Sequence, residues 1–261
     1  MDILTEILIN LTVVRTMPEF DVDGSFPMGS SILLRGPPGV GKTELLLNLS
    51  RRWIRNGDKV LYVTVSAGGE EILSRFLSEF NRDQLDNRLL IIDCFRNNTT
   101  ESKDKLIVNI NGLSHLESIT LAISTAVEAL GAPVRVVFDG LSTLFLHNAP
   151  QTMAKFFQVL SVRSKNEFGF IVSSLVEGMH ESVTTNTLMS IADGVIEIEL
   201  GKSMARFVRL RFLKGRTTDP VWYRYRLHRN ELQLAQHGLF INEDTVLDEI
   251  RIHKRNKTEE E

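Results

Sequence analysis

Along most of the chain, short apolar runs alternate with segments whose apolar residues recur every three or four positions. Residues 31–35, 59–65, 88–93, 134–139 and 168–174 read as buried strands. Between them, residues 43–56 place Leu45, Leu46, Leu49 and Trp53 on one face of a helix that stops at Gly57. Residues 70–80 do the same with Ile72, Leu73, Phe76, Leu77 and Phe80. Ser114 and Glu117 have capping-box spacing and predict a helix running to Leu130, with Gly131 and Pro133 ending it. Pro150 fits the first turn of a helix carrying Met153, Phe156, Phe157 and Leu160. From Gly194 the pattern changes to short alternating strands at 194–200, 205–213, 221–228 and 231–235. The predicted class is α/β: a mostly parallel central sheet flanked by helices, with an antiparallel C-terminal strand extension.

This pattern organises the chain into an amphipathic segment at 1–22, one α/β domain at 23–240, and a C-terminal helix and charged tail at 241–261. The N-terminal apolar stretch is interrupted by Asp2, Glu6, Asn10 and Arg15, too short a run for a membrane span. A cytoplasmic protein is expected. Across 261 residues, 43% hydrophobic and 24% charged composition is ordinary globular usage, sufficient for a sizeable core. The net charge of −3 does not favour a dedicated nucleic-acid binder. Cys94 is the single cysteine, which rules out an internal disulfide and reads as a small buried hydrophobe.

The chemistry is concentrated in Gly36-Pro37-Pro38-Gly39-Val40-Gly41-Lys42-Thr43, between the first strand and the first helix. The glycines allow backbone N–H groups to wrap phosphates, and the following helix points its positive end at them. Lys42 reaches the β- and γ-phosphates, and Thr43 offers a hydroxyl to a magnesium ion. The run Val134-Arg135-Val136-Val137-Phe138-Asp139 ends an apolar strand in a carboxylate, the place for a second magnesium-holding acid. ATP and Mg2+ are therefore the expected ligands.

Together, Gly29-Ser30, the GPPGVGKT loop, residues 134–143 (VRVVFDGLST) and 191–197 (IADGVIE) resemble the KaiC branch of RecA-like ATPases. That branch includes clock ATPases, the recombinase RadA and gas-vesicle regulators, and the likeness spans residues 26–236. The resemblance implies a RecA-like P-loop core that assembles into a homo-oligomer, a ring or filament, with nucleotide between subunits. It places Lys214 and Arg216 as cations reaching a neighbour's γ-phosphate, and Ser173 and Ser174 as γ-phosphate sensors.

One departure matters. Members that hydrolyse ATP carry paired glutamates just after the strand that follows the P-loop helix, where this chain has Ser66-Ala67. Glu70 and Glu71 lie further on, in a predicted first helical turn, where acids are expected from dipole effects alone. They are the candidate catalytic acids beside Lys42. A slow regulatory ATPase with an unknown protein partner is the leading expectation, ahead of a nucleotide-gated binding module. A DNA-acting role ranks third, because residues 141–151 and 176–187 contain no Lys or Arg. Glu177 and His180 read as part of a surface loop, and His115 as structural or exposed. The arginines at 206, 209, 211, 224, 226 and 229 read as a solvated sheet face or cross-strand ion pairs.

Overall fold

The computed structural model describes residues 26–95, 104–201, 204–218, 220, 222–228 and 231–235. The segments expected at 1–22 and 241–261 lie outside these residues, as does Arg229. The strands are β1 (Ser30–Gly36), β2 (Lys59–Thr64), β3 (Leu89–Asp93), β4 (Ile107–Asn109), β5 (Val134–Asp139), β6 (Gly169–Val176), β7 (Gly194–Leu200), β8 (Arg206–Leu213), β9 (Tyr223–His228) and β10 (Glu231–Ala235). They form one sheet in the order β10-β9-β8-β7-β1-β6-β5-β2-β3-β4. The helices are α1 (Lys42–Arg55), α2 (Gly69–Leu77), α3 (Arg82–Leu85), α4 (Leu116–Leu130), α5 (Leu141–Leu144), α6 (Pro150–Arg163) and α7 (Ser182–Ile191), with a π-turn at Ser164–Phe168 before β6.

Strand alternation sends neighbouring residues to opposite faces, and each face meets its own helices. Ile32 and Leu34 of β1 join Leu45, Leu46, Leu49 and Trp53 of α1 and Phe76 of α2 on one side. Leu33 joins Ile119 and Ile123 of α4 and Phe157 and Leu160 of α6 on the other. Fully burying one such side chain stabilises by about 1.5–3 kcal/mol, so these two interfaces hold the sheet in place.

Several details differ from the sequence reading. β7 pairs parallel with β1, so the antiparallel region begins one strand later, at β8. The short β4 and α3 carry too few residues for periodicity to register. Ser114 does not cap α4: His115 takes the N-cap with no side-chain hydrogen bond, so Glu117 falls short of the capping-box position. His115 itself is exposed. The segments after β5 and β6, for which the periodicity predicts no helix, contain α5 and α7, whose few apolar positions give no clear helical stripe.

Asp193 ties the centre together. Its Oδ2 accepts from the Ser31 N–H at 3.0 Å and the Ser31 hydroxyl at 2.9 Å, and its Oδ1 accepts from Lys165 at 2.9 Å. Burial alone would push this carboxyl up, but the hydrogen bonds from Lys165 and Ser31 outweigh it and hold it below the usual carboxylate range. Folding therefore favours the ionised form. The resulting stability is fully present above the unfolded pKa of about 3.9 and is lost as pH falls through the lower folded value. Asp193→Ala is expected to destabilise the fold by about 2–4 kcal/mol in urea unfolding at pH 7, because the buried Ser31 N–H loses its side-chain acceptor and Lys165 its partner. Asp193→Asn should also lack part of the wild-type loss of stability on acidification below about pH 4.

Candidate functional site

The loop between β1 and α1 is shaped by two glycines. A side chain on Gly36 would come within 2.6 Å of the Ile198 carbonyl, so the chain can turn off β1 only without one. Gly41 adopts φ 97° at the N-cap of α1, a left-handed conformation that glycine takes freely. No side chain caps this helix, so the N–H groups of its first turn face the loop, an arrangement suited to an anion.

Lys42 is the first residue of α1 and is 9% exposed. Its ammonium donates to the Gly36 carbonyl at 2.8 Å and the Pro37 carbonyl at 2.7 Å, which bends the side chain back across the loop. Burial pushes Lys42 down to about 8, against the opposing pull of the Asp139 and Glu177 carboxylates. Thr43 follows, half-buried at the helix N-terminus.

Asp139 ends β5 on the α1 face of the sheet and is 2% exposed. Its Oδ1 accepts from the Ser174 hydroxyl at 2.8 Å and its Oδ2 from the Tyr62 hydroxyl at 3.1 Å. Ser174 Oγ also accepts the Gly140 N–H at 2.8 Å, so this serine fixes both the acid and the turn after it. Burial, then the adjacent Asp139 charge and hydrogen bond, raise Tyr62 well above the usual phenol range and keep it a proton donor. An ionised carboxylate has about four acceptor sites, so two hydrogen bonds leave room for a metal or its water. Asp139 and Thr43 thus have the donor chemistry for magnesium, a hard cation that takes few protein ligands beside phosphate oxygens.

The serine pair divides. Ser174 stands beside Asp139, whereas Ser173, fully buried, belongs to the opposite face with Ile171 and Leu175, and its hydroxyl finds no protein partner. Strand alternation therefore turns Ser173 away from the loop. The candidate glutamates do not converge on it either. Glu70 and Glu71 open α2 as exposed residues, and Glu71 Oε1 accepts from Arg75 at 3.1 Å, four residues along the helix. Lys214 is turned onto its own chain, donating to the Ser190 and Ile191 carbonyls at 3.2 Å each, at the end of α7. Arg216 is exposed in the turn after β8.

Other groups at the site have no motif to announce them. The Arg206 guanidinium lies against Gly41, 3.6 Å from where a side chain there would begin, and the Tyr225 hydroxyl donates to the Val40 carbonyl at 3.4 Å. The antiparallel strands thus close over the loop. The Glu177 N–H donates to the Gly36 carbonyl at 2.9 Å, and its carboxylate accepts from Arg35 at 2.8 Å. The arginine-rich strands are not a uniform basic face, since Arg209 and Arg211 both bind the buried Glu197 and Arg209 stacks over Trp222.

A parallel sheet with a glycine-rich loop, a buried lysine and an acid at the carboxyl end of a nearby strand defines a P-loop nucleotide-binding protein. Comparison with known proteins places it within that class. Residues 11–235 match the family described as "ATPase: KaiC", so the chain belongs to the KaiC-type ATPase family, a nucleotide-binding family of the RecA superfamily. It is 26% identical over 234 residues to the DNA repair protein RadA of Chlamydia trachomatis, covering 85% of this chain and 45% of that one. It is 30% identical over 127 residues to RadA of Mycobacterium tuberculosis, covering 41% and 26% respectively. The chain thus spans less than half the length of these relatives. A KaiC-like protein of the archaeon Pyrococcus horikoshii has the same fold, with a TM-score of 0.64 at 18% identity over 84% of this chain and 96% of that one. Among the described residues, no helix is long and apolar enough to cross a membrane.

Lys42 gives this nucleotide site a pH signature. A lysine that titrates near 8 must carry its proton to hold a triphosphate, so binding above that pH must draw a proton from solution. Calorimetry of ATP binding at pH 8.5, repeated in buffers of different ionisation heat, is expected to show net proton uptake that shrinks toward pH 7. Lys42→Ala should abolish that uptake together with most of the affinity.

Proposed function

We propose that this chain binds Mg-ATP at residues 36–43 and Asp139 and hydrolyses it slowly, at an interface between copies of itself, to control a protein partner. The carrying observation is the pairing of the Lys42 loop with an Asp139 held by both Ser174 and Tyr62. Such bracing presents a carboxylate in one orientation, which would suit holding a metal ion beside a triphosphate. When bound, magnesium supplies charge neutralisation for the phosphoryl oxygens. The chain's own contribution is to wrap the phosphates with the loop, reach them with Lys42 and hold the metal through Thr43 and Asp139.

Arg216 is the cation we assign to the neighbouring subunit's γ-phosphate, because it is exposed in its turn while Lys214 is drawn onto α7. A cation supplied in trans neutralises charge spread over the transferring phosphoryl group. The absence of a carboxylate at Ser66-Ala67 favours slow turnover, appropriate to a switch that dwells in one nucleotide state.

A role on DNA, suggested by the RadA relatives, is less well supported. The segments after β5 and β6 carry no lysine or arginine through residues 141–151 and 176–187, and phosphate contacts dominate DNA affinity.

The rate of ATP turnover per subunit is expected to rise with protein concentration and then plateau. Arg216→Ala should lower the plateau by about 10³-fold with little change in nucleotide affinity. A rate per subunit independent of concentration and insensitive to Arg216→Ala would remove the interfacial mechanism.

A further inference from the structure

At the carboxyl edge of the sheet, neighbouring acids are committed to different tasks. Asp93, at the end of β3, accepts from the Gly69 N–H at 2.6 Å and the Phe95 N–H at 2.9 Å, and so anchors the start of α2. Glu197 is enclosed by Arg35, Arg209 and Arg211. Glu71 faces Arg75. Glu177 differs from all three because it is tied to the phosphate loop itself. It follows β6 directly, and its N–H binds the same Gly36 carbonyl that accepts the Lys42 ammonium.

We propose that Glu177, oriented by Arg35, is the carboxylate that aligns the attacking water for ATP hydrolysis, in place of the acid missing at Ser66-Ala67. The inference rests on the hydrolytic reading above and names the group that performs its central step. Three residues upstream, within β6, Ser174 fixes Asp139, so β6 and the turn directly after it serve both acids at one end of the sheet. The Glu177 side chain is 25% exposed, which admits water.

Orientation comes from a relay of ion pairs. Arg35 donates one nitrogen to Glu177 at 2.8 Å and the other to Glu197 at 3.1 Å. Glu197 in turn accepts from Arg209 and from Arg211, both at 2.8 Å. A guanidinium held on both sides presents its carboxylate partner in a fixed direction. Phosphoryl transfer passes through a loose transition state that asks for a placed water more than for a strong base. In that step the water oxygen bonds to the γ-phosphorus while the bond from phosphorus to the β–γ bridging oxygen breaks. The bond pair leaves on ADP, and both water protons end on the phosphate, released as H2PO4−. Glu177 is unchanged at the end.

The test uses the full chain and γ-labelled ATP under single-turnover conditions, with a fluorescent ATP analogue reporting affinity. Glu177→Gln is expected to slow turnover by about 10²–10⁴-fold while affinity stays within about twofold of wild type. Wild-type turnover in Glu177→Gln overturns the proposal. If that variant does not fold, Glu177→Asp decides. It keeps the charge for Arg35 but withdraws the carboxylate by one methylene, so a loss of about tenfold or more supports the role and wild-type turnover overturns it. Arg35 is a positioning residue, so Arg35→Lys should lower kcat, leave KM unchanged and add no further loss in a Glu177→Gln background. An additive loss overturns that part. A wild-type chain that binds the analogue but turns over ATP no faster than Lys42→Ala overturns the hydrolytic reading itself, and the role of Glu177 with it.

Discussion

The parallel pairing of β6 with both β1 and β5 is the constraint on which the site depends. Its register sets Ser174 opposite Leu34 on one side, and one residue earlier Ser173 lies opposite Phe138 on the other. From that position Ser174 holds Asp139, and the next turn of chain brings the Glu177 N–H to the Gly36 carbonyl. A slip of one residue would turn Ser174 into the opposite helical layer and leave a buried Asp139 without one of its two donors. The phosphate loop and Asp139 come from different strands, and β6 fixes the distance between them.

Electrostatics at the loop follow from that arrangement. Lys42 is buried by the same packing that positions α1, and burial disfavours its charge. Carbonyls of Gly36 and Pro37 and the carboxylates of Asp139 and Glu177 offset part of the penalty, so a positive charge is stored where a triphosphate would take it up. On the far side of the sheet, Glu197 gathers Arg35, Arg209 and Arg211, turning what the sequence shows as a row of basic residues into an internal ion-pair network. The KaiC-type family fixes the fold and the nucleotide class. In this chain the segments after β5 and β6 carry no lysine or arginine through residues 141–151 and 176–187, and the turn after β8 exposes Arg216.

Much of this was legible in the sequence because the physics involved is local. Gly36 to Thr43, the apolar run into Asp139 and the stripe of Leu45, Leu49 and Trp53 each announce themselves within a few residues. The motif residue Asp193 was visible too, although its contacts with Ser31 and Lys165 give it a structural task. What stayed hidden depends on contacts across long separations. Arg206 lies against Gly41, Tyr62 binds Asp139 and Arg35 reaches Glu177 only because the sheet order brings distant strands together. Glu177 and His180 do lie in the turn between β6 and α7, as their sequence context indicates, but their side-chain contacts were hidden for the same reason. His180 in fact contacts the Ser142 hydroxyl at 2.9 Å and stacks on Phe145, and burial pushes it below the usual histidine range. Ser173 and Ser174 are adjacent in sequence and identical in type. Only the pleat separates them.

The central claim is that a triphosphate sits on the 36–43 loop with its metal held by Asp139. Titrating ATP with and without magnesium into wild type and Asp139→Asn tests it most directly. Wild type is expected to bind more tightly with the ion present, and Asp139→Asn to bind ATP with most of that magnesium dependence gone. An unchanged magnesium effect in Asp139→Asn, with affinity equal to wild type, would contradict the account.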